Sequence, residues 1–418
     1  MRKLLCAFLL YLTFTTAWAD NIYVSNVKSL QAVVNEDWLA PAVLRLESDD
    51  VLHIGFDELS HDLHRYIYHL ERCETDWTVS EEVFESDWLE GLNNSLIENY
   101  EWSVNTVVPY THYDLDIPNE QMRLKLSGNY RLNIIDEDTD QRIASVEFMV
   151  TEQTMKLSLD CSTNTEIDTN DSHQQLSVDL NYNRLPVTFP EDQIRLVVTQ
   201  NQRHDNQKTH IRPTIIRPNG LSWSHCRELI FEAGNEYRKF EVLDPSHPTM
   251  GIDYIRWDGE MYQVFPFQNE PRHHYIYDED ANGSFCIRNS NNQENNTTSE
   301  YVWVNYRLKA TEWAEGQICI DGRWTSEQPD IYHMAFDPET RLYTARILQK
   351  QGYYSYQYLW TTGDGRKRFL PSEGNFYQTE NHYQAYIYYK GIGDRTWRLT
   401  AFGDILMASS DRSDRKQR

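Results

Sequence analysis

The sequence predicts an all-β protein built from tandem immunoglobulin-like or early-set β-sandwich domains, and three observations lead to this prediction. Short β-branched or aromatic runs recur along the chain, and turn residues separate them. Helical periodicity is almost absent, since only residues 81–89 have the pattern of a short helix. The chain has 418 residues, which is too many for one ordinary domain. We therefore expect several sandwiches in series.

The strand signals divide the chain into three consecutive blocks. Residues 20–151 predict an N-terminal β-sandwich, and residues 152–303 predict a middle β domain. Residues 304–408 predict a C-terminal early-set-like β-sandwich, in which residues 353–359 and 383–389 alternate most clearly. Residues 409–418 are polar and charged, so we expect a disordered tail there.

The first nineteen residues have the pattern of a secretory signal peptide. Arg2 and Lys3 precede an apolar run that ends near Phe14, and Ala17-Trp18-Ala19 matches the small-residue cleavage pattern. The run is shorter than the roughly 20 apolar residues that span a membrane. We therefore expect residues 1–19 to be removed and the mature, unlipidated chain to be periplasmic, without membrane insertion.

The charge balance excludes one class of partner. Sixty-four acidic residues against 39 basic ones give a formal net charge of −25, which repels phosphate backbones. Residues 20–151 carry 27 acidic and 8 basic side chains, whereas residues 304–418 carry 14 and 16. We expect no nucleic acid partner, and the acidity of the first block is either a solvated surface or a partner-facing patch.

Motifs for catalysis and cofactor binding are poor. The chain has no GxSxG, HExxH or GxxxxGK[ST] pattern, so the common hydrolase, zincin and P-loop signatures are missing. Residues 278–283 read DEDANG, which fits the first half of a calcium loop, but its twelfth position is Asn289 instead of Glu. The turn of a β-hairpin explains this segment better. The sequence therefore predicts no enzyme, no cofactor and no metal site, and its dispersed cysteines favour buried thiols, with one or two disulfides possible.

Aromatic residues offer an alternative function. A cluster in the third block has the composition of a sugar-stacking platform, although alternate tyrosines on a strand also pack into a core. A secreted or periplasmic carbohydrate-binding β-sandwich protein is therefore the alternative hypothesis. Its candidate residues are Trp324, Tyr353, Tyr354, Tyr356, Tyr358 and Trp360.

A series of motifs in the first block carries a family resemblance. Arg72-Cys73-Glu74-Thr75-Asp76-Trp77 is followed in order by Asn105-Thr106, Tyr110-Thr111-His112-Tyr113, Ile117-Pro118-Asn119 and Ser127-Gly128-Asn129-Tyr130. The series continues through residues 275–288 into Ser372-Glu373-Gly374-Asn375 and Thr379-Glu380-Asn381. This order resembles the plug protein family of the type IX secretion system of Bacteroidota, formerly a domain of unknown function.

The resemblance implies a periplasmic, non-enzymatic protein that binds the outer-membrane translocon barrel of the type IX secretion system. Such a protein closes the periplasmic opening of the barrel in the absence of substrate. Two polar or acidic stretches rich in aromatic residues, 77–88 and 102–113, are the candidate contact segments. Their candidate partner-binding residues are Trp77, Trp88, Trp102, Tyr110, Thr111, His112 and Tyr113.

Overall fold

The computed structural model describes residues 20–313, 315–325, 329–362 and 366–407. The predicted signal peptide and the predicted tail at residues 409–418 lie outside these residues. Strands in several mostly antiparallel sheets dominate the structure, which confirms the predicted all-β fold of tandem sandwiches. Within the described residues, no helix has the length and apolar character needed to cross a membrane.

The first domain contains twelve strands and one short helix. One sheet has the order β1-β12-β11-β5-β7, with β3 added parallel to β12, and a second has the order β2-β4-β9-β8. Apolar side chains between the two sheets form its core. The elements are β1 (Asp20–Ile22), β2 (Val27–Val34), β3 (Val43–Arg45), β4 (Leu52–Glu58), β5 (Tyr66–Cys73), α1 (Glu85–Trp88), β6 (Leu89–Gly91), β7 (Ser95–Leu96), β8 (Asn99–Trp102), β9 (Thr111–Ile117), β10 (Met122–Leu124), β11 (Gly128–Asp136) and β12 (Arg142–Thr151).

The second domain begins directly after the first, and five of its strands form a sheet of order β13-β14-β17-β16, in which β18 also pairs with β14. Two single helical turns, α2 and a 3₁₀ turn at Arg227–Leu229, lie between its strands. Its first elements are β13 (Lys156–Ser162), β14 (His173–Asn181), α2 (Pro190–Gln193), β15 (Ile194–Gln200), β16 (Ile215–Arg217), β17 (Gly220–Trp223) and β18 (Ile230–Glu232).

The third domain packs a sheet centred on β27 against a five-stranded sheet of order β20-β21-β23-β26-β25. Its core is rich in tyrosine. The elements are β19 (Arg238–Val242), β20 (Ile252–Trp257), β21 (Tyr262–Pro266), β22 (Phe285–Ile287), α3 (Asn295–Thr298), β23 (Tyr301–Lys309), β24 (Gln317–Asp321), a 3₁₀ turn (Pro329–Tyr332), β25 (Ala335–Asp337), β26 (Leu342–Lys350), β27 (Gly352–Thr361), β28 (Lys367–Phe369) and a 3₁₀ turn (Pro371–Glu373).

The last two strands, β29 (His382–Tyr389) and β30 (Arg398–Leu406), return to the second domain. They form the sheet β15-β29-β30, in which Ile194 pairs with Tyr389 and Gln200 with Tyr383. The third domain is therefore an insertion within the second. The sheets do not follow the three consecutive blocks divided at residues 303 and 304, because a local strand pattern does not specify which distant strand is its partner.

Two local predictions also differ from the structure. Residues 275–277 form no strand, so the predicted hairpin lacks its first arm, although Asn282 and Gly283 do form a turn with positive φ values of 47° and 85°. Asp280 fixes this turn by accepting a hydrogen bond from the amide of Asn282 at 2.6 Å. The short helix predicted at residues 81–89 is confirmed as the single turn α1.

Candidate functional site

The motif residues of the first domain lie mainly where the domains meet. Arg72 at the end of β5 and Asn129 on β11 face the second domain. Tyr110 before β9 and His112 on β9 face the third domain. The candidate functional site is therefore a set of interdomain junctions, together with the surface that these junctions hold in place.

Arg72 is the polar centre of the junction between the first and second domains. It is only 1% exposed, and its guanidinium donates to Thr396 Oγ1 at 2.7 Å and to the carbonyl of Trp397 at 2.5 Å. It also donates to Ser127, whose carbonyl lies 2.7 Å away. Gly128 has a φ of 137°, and a Cβ there would lie 2.5 Å from Arg72 Nη2. The glycine of the Ser127-Gly128-Asn129-Tyr130 motif thus leaves room for the guanidinium.

A carboxylate and an apolar cluster complete this junction. The hydroxyls of Ser80 and Thr396 each accept a hydrogen bond from Arg72 and donate one to Glu74 Oε1. These two hydroxyls therefore bridge the buried guanidinium to a carboxylate. Tyr388 donates to Asn129 at 2.7 Å. Eight buried residues from both domains pack beside these groups, namely Cys73, Trp77, Met149, Val197, Tyr386, Tyr388, Trp397 and Leu399.

The junction between the first and third domains is ionic. Asp57 on β4 is fully buried. Its carboxylate accepts hydrogen bonds from His112 Nδ1 at 2.6 Å, from Lys350 Nζ at 2.7 Å and from the hydroxyl of Tyr301 at 2.6 Å. Lys350 is also buried and lies 4.1 Å from the ring centroid of Tyr110. Two cations and a phenol from two domains therefore converge on one carboxylate, an arrangement that we call the Asp57 cluster.

The Asp57 cluster shifts the pKa values of its members. Burial opposes charge on His112, but its hydrogen bonds with Asp114 and Asp57 outweigh burial and raise the pKa of His112 to about 9. Burial also opposes charge on Asp57, but Lys350 and His112 outweigh it and lower the pKa of that carboxyl. Burial lowers the pKa of Lys350, and Asp57 only partly compensates. The cluster therefore keeps Asp57 ionised next to a protonated imidazole.

Motif residues near the end of the chain tie together the two segments that connect the second and third domains. Glu373 is 3% exposed and accepts charged hydrogen bonds from Arg238 at 2.8 Å and Arg272 at 2.9 Å. The side chain of Asn375 accepts a hydrogen bond from the backbone amide of Gly234 at 2.7 Å, and the side chain of Asn381 donates one to the carbonyl of Ala233 at 2.8 Å. These bonds fix both crossings between the second domain and its insertion.

A cavity of about 580 Å³ lies where all three domains meet. Trp77, Val197 and Tyr386 contribute apolar wall, while Asp20 and Glu147 contribute carboxyl groups. Burial raises the pKa of Asp20 to about 6 and that of Glu147 to about 7. Glu147 is buried and paired with Arg131 at 2.8 Å, whereas Asp20 is partly exposed.

The structure separates the seven predicted contact residues into two groups. Six are buried: Trp88 and Tyr113 lie in the core of the first domain, Trp77 lies at the junction with the second domain, and Tyr110, Thr111 and His112 lie on or beside the junction with the third. Trp102 alone is exposed, at 51%. In this structure the six buried residues can act on a partner only through the shape they support.

Trp102 belongs to an exposed edge of the first domain. All four residues of β8 are exposed, and among the described residues β8 pairs with a strand on one side only, β9. Tyr100 packs edge to face against Trp102, with ring centroids 6.0 Å apart, and Val104 and Val107 are about half exposed next to them. We call Tyr100, Trp102, Val104 and Val107 the edge patch. An edge strand with exposed aromatic residues is suited to pairing with another protein.

Of the six candidate residues for sugar stacking, four are buried and two, Tyr353 and Trp360, are partly exposed. Trp324, Tyr354, Tyr356 and Tyr358 are at most 7% exposed and lie in the core of the third domain. The strand pattern alone could not decide this, because a period of two places side chains on one face without saying which face is buried.

In the part of the chain that the structure describes, no three His, Cys, Asp or Glu side chains are grouped to hold a metal ion. Cys73, Cys161, Cys226, Cys286 and Cys319 are free thiols in the structure.

Sequence reasoning missed the central groups of the ionic junction. Asp57, Tyr301 and Lys350 belong to no recognisable motif, and Asp57 and Lys350 are 293 positions apart. A buried ionisable residue needs a partner, but β4 also carries His53 and Glu58, so its sequence did not single out Asp57. Nothing local identified that partner.

Comparison with known proteins gives a family match for the first domain and a structural match over most of the chain. Residues 27–152 match the model of the first domain of the type 9 secretion system plug protein. No curated protein matches the chain. The crystal structure of a hypothetical protein from Parabacteroides merdae is 33% identical, with a TM-score of 0.90, and the alignment covers 93% of this chain and 98% of that one. The C-terminal domain of the Streptococcus pyogenes antigen I/II-family protein AspA aligns with 8% identity and a TM-score of 0.16 over 91% and 99% of the two chains, too low to inform the fold.

Proposed function

We propose that this chain, which belongs to the type IX secretion system plug protein family, binds the outer-membrane translocon barrel of that system and closes its periplasmic opening when no substrate is present. The match of residues 27–152 to the plug model carries this proposal. The relative from Parabacteroides merdae extends the similarity over all three domains, so the proposal concerns the whole chain. We further propose that the protein acts by binding alone, without catalysis or a cofactor.

The interdomain junctions support a stopper function. A protein that closes a wide opening must keep its shape while it bears on the rim, and relative motion of its domains would leave gaps. The junction at Arg72 connects the first domain to the second, and the junction at Asp57 connects it to the third. Because a buried charge that loses its partner is strongly destabilising, each junction favours one arrangement of the domains.

We propose that the edge patch is a contact surface for the translocon. Exposed aromatic and β-branched side chains next to an unpaired strand edge provide both apolar area and backbone hydrogen-bonding groups. The first domain is also strongly acidic, with 27 acidic and 8 basic residues in positions 20–151. A complementary partner surface would be basic around an apolar centre.

Co-purification tests the proposed function. Tagged protein extracted from envelopes should bring down a very large outer-membrane protein, and deletion of the gene should make the outer membrane leaky. Trp102→Ala should reduce the yield of the large protein at least several-fold, whereas Ile215→Ala, at a 45% exposed site on the second domain, should not. If no very large outer-membrane protein co-purifies and deletion causes no leakiness, the proposal is wrong.

Export is a separate part of the proposal. We propose that residues 1–19 are removed and that the mature protein begins at Asp20 in the periplasm. N-terminal sequencing of the protein from a periplasmic fraction should give Asp-Asn-Ile-Tyr. Recovery of the full-length chain from the cytoplasm alone would contradict this part.

A further inference from the structure

A pocket of about 420 Å³ between the second and third domains collects cationic side chains, although the chain as a whole has a net charge of −25. Domains two and three both contribute cations to it. Among the described residues that line this basic pocket, Glu232 is the one carboxylate. The cations are Arg203, Lys208 and Arg227 from the second domain and Lys367 and Arg368 from the third.

Two of these cations already have acidic partners. Arg203 lies 2.6 Å from Asp205 and 4.0 Å from Asp321, and Lys367 lies 2.6 Å from Asp321. These pairs make a fixed inner wall that joins the two domains. The wall is close to neutral as a whole, so the remaining cations determine the charge of the pocket.

The other three cations have no acidic partner within the residues that the structure describes. The Nζ of Lys208 lies 5.1 Å from the ring centroid of Phe231, and Arg227 and Arg368 are exposed at the rim. His173 also lines the pocket and is held by Asp168 at 2.7 Å. Three uncompensated cations thus converge from two domains on one concavity, against a single carboxylate.

Arg203 carries a buried donor behind the pocket wall. Its side chain is 9% exposed, and its Nη1 atom is closed to solvent and has no hydrogen-bond partner in the described part of the chain. Arg203 lines both this pocket and the 580 Å³ cavity, so its Nη1 adds partial positive charge near the pocket and is not a direct contact for a ligand. Phe231 and Phe369 supply apolar surface to the pocket.

We propose that the basic pocket binds a compact, multivalent oxyanion of the phosphate class between the second and third domains. A phosphate group offers three acceptor oxygens that match guanidinium forks and a lysine ammonium. The pocket is small and its cations surround it, whereas an acidic peptide would need an extended groove. The phosphate belongs either to a free ion such as pyrophosphate or to the headgroup of a lipid.

A bound oxyanion would strengthen the contact between the second domain and its insertion. The anion would bridge Arg227 on one side and Arg368 on the other, and it binds only the folded arrangement. A ligand that binds the native state alone raises the unfolding temperature, and the stabilisation grows with the logarithm of ligand concentration once the concentration exceeds Kd. This inference does not depend on the proposed translocon function.

Titration with pyrophosphate tests the site. Full-length processed protein is titrated at constant pH and ionic strength, and binding is measured by calorimetry and by the unfolding temperature. We expect saturable binding and a rise in unfolding temperature. Each of Arg227→Gln and Arg368→Gln removes one charged hydrogen-bond donor and should weaken binding about tenfold. Arg212→Gln, which removes an exposed arginine of the second domain outside the pocket, is the matched control.

Several results would overturn the proposal. One is an absence of saturable binding at millimolar pyrophosphate, and another is equal weakening by Arg212→Gln, which would indicate non-specific screening. Stronger competition by hexaglutamate than by pyrophosphate would assign the pocket to an acidic peptide instead. Short-chain phosphatidic acid below its micellar concentration separates the two sources: tighter binding than pyrophosphate supports a lipid headgroup, and equal or weaker binding supports a free ion.

Discussion

The two junctions of the first domain solve the same problem with different chemistry. The junction with the second domain combines an apolar cluster with Arg72, whose guanidinium donates mainly to carbonyls and hydroxyls, acceptors that do not titrate between pH 6 and pH 9. The junction with the third domain depends on the Asp57 cluster, in which a carboxylate, an imidazole and an ammonium share one buried site. The first junction should therefore be insensitive to pH, whereas the second should respond to it.

The largest expected effect is at the ionic junction. Lys350→Met should lower the free energy of unfolding by about 3–5 kcal/mol, because Asp57 remains buried with one cation fewer. Denaturation in urea, followed by tryptophan fluorescence, measures this loss. Lys309→Met is the matched control, since Lys309 and Glu270 are both more than half exposed, and it should change the stability by less than about 1 kcal/mol. Similar losses in the two variants would contradict the buried ionic join.

The second prediction concerns pH. The pKa of His112 is raised from 6.5 to about 9, so its protonation stabilises the folded state fully below about pH 6.5, and this stabilisation is lost as pH rises to about 9. The stability difference between wild type and His112→Gln should therefore shrink by about 3 kcal/mol between pH 6 and pH 9.5. A difference that stays constant over this range would show that His112 is not protonated in the fold.

The third prediction applies to the other junction. Arg72→Met should lower the free energy of unfolding by about 2–3 kcal/mol, because Ser127 and Trp397 lose a charged donor to their buried carbonyls. This loss should be the same at pH 6 and pH 9, in contrast to the effect at His112. Arg123→Met, at an exposed site of the same domain, should be nearly neutral. A pH-dependent loss at Arg72 would remove the distinction between the junctions.

The smallest effect on stability is expected at the edge patch. Trp102→Ala should change the free energy of unfolding by no more than about 0.5 kcal/mol, because the side chain is 51% exposed and lies outside both junctions. The same variant should still reduce binding to the translocon. A large loss of stability would instead assign Trp102 a structural role, as the structure already does for Trp88.

Local features of the fold were predictable, and long-range features were not. The strands around residues 128–135 and 383–389 were predicted because alternation within a strand is a local property. The pairing of β15 with β29 was not, since Val198 and Ala385 meet only after the whole third domain has intervened. The insertion is thus a matter of pairing between distant strands, which no local pattern encodes.

Most of the predicted contact residues have a structural position that the sequence did not indicate. Tyr110 and His112 were identified from their motif as partner-binding residues, yet both are buried against the third domain. Motif residues that are aromatic or polar in sequence suggest an exposed surface, but the same chemistry joins domains when the partner is another part of the chain. Among the seven predicted contact residues, Trp102 alone is exposed, because it lies on an edge strand.

Cross-linking in the envelope tests the central claim most directly. A photo-reactive amino acid at position 102 is compared with one at position 215, an exposed site on the second domain. We predict that position 102 cross-links to a very large outer-membrane protein, that position 215 does not, and that the cross-link decreases when secretion substrate is abundant. If neither position 102 nor any other member of the edge patch forms such an adduct, the proposed docking of this surface on the translocon is contradicted.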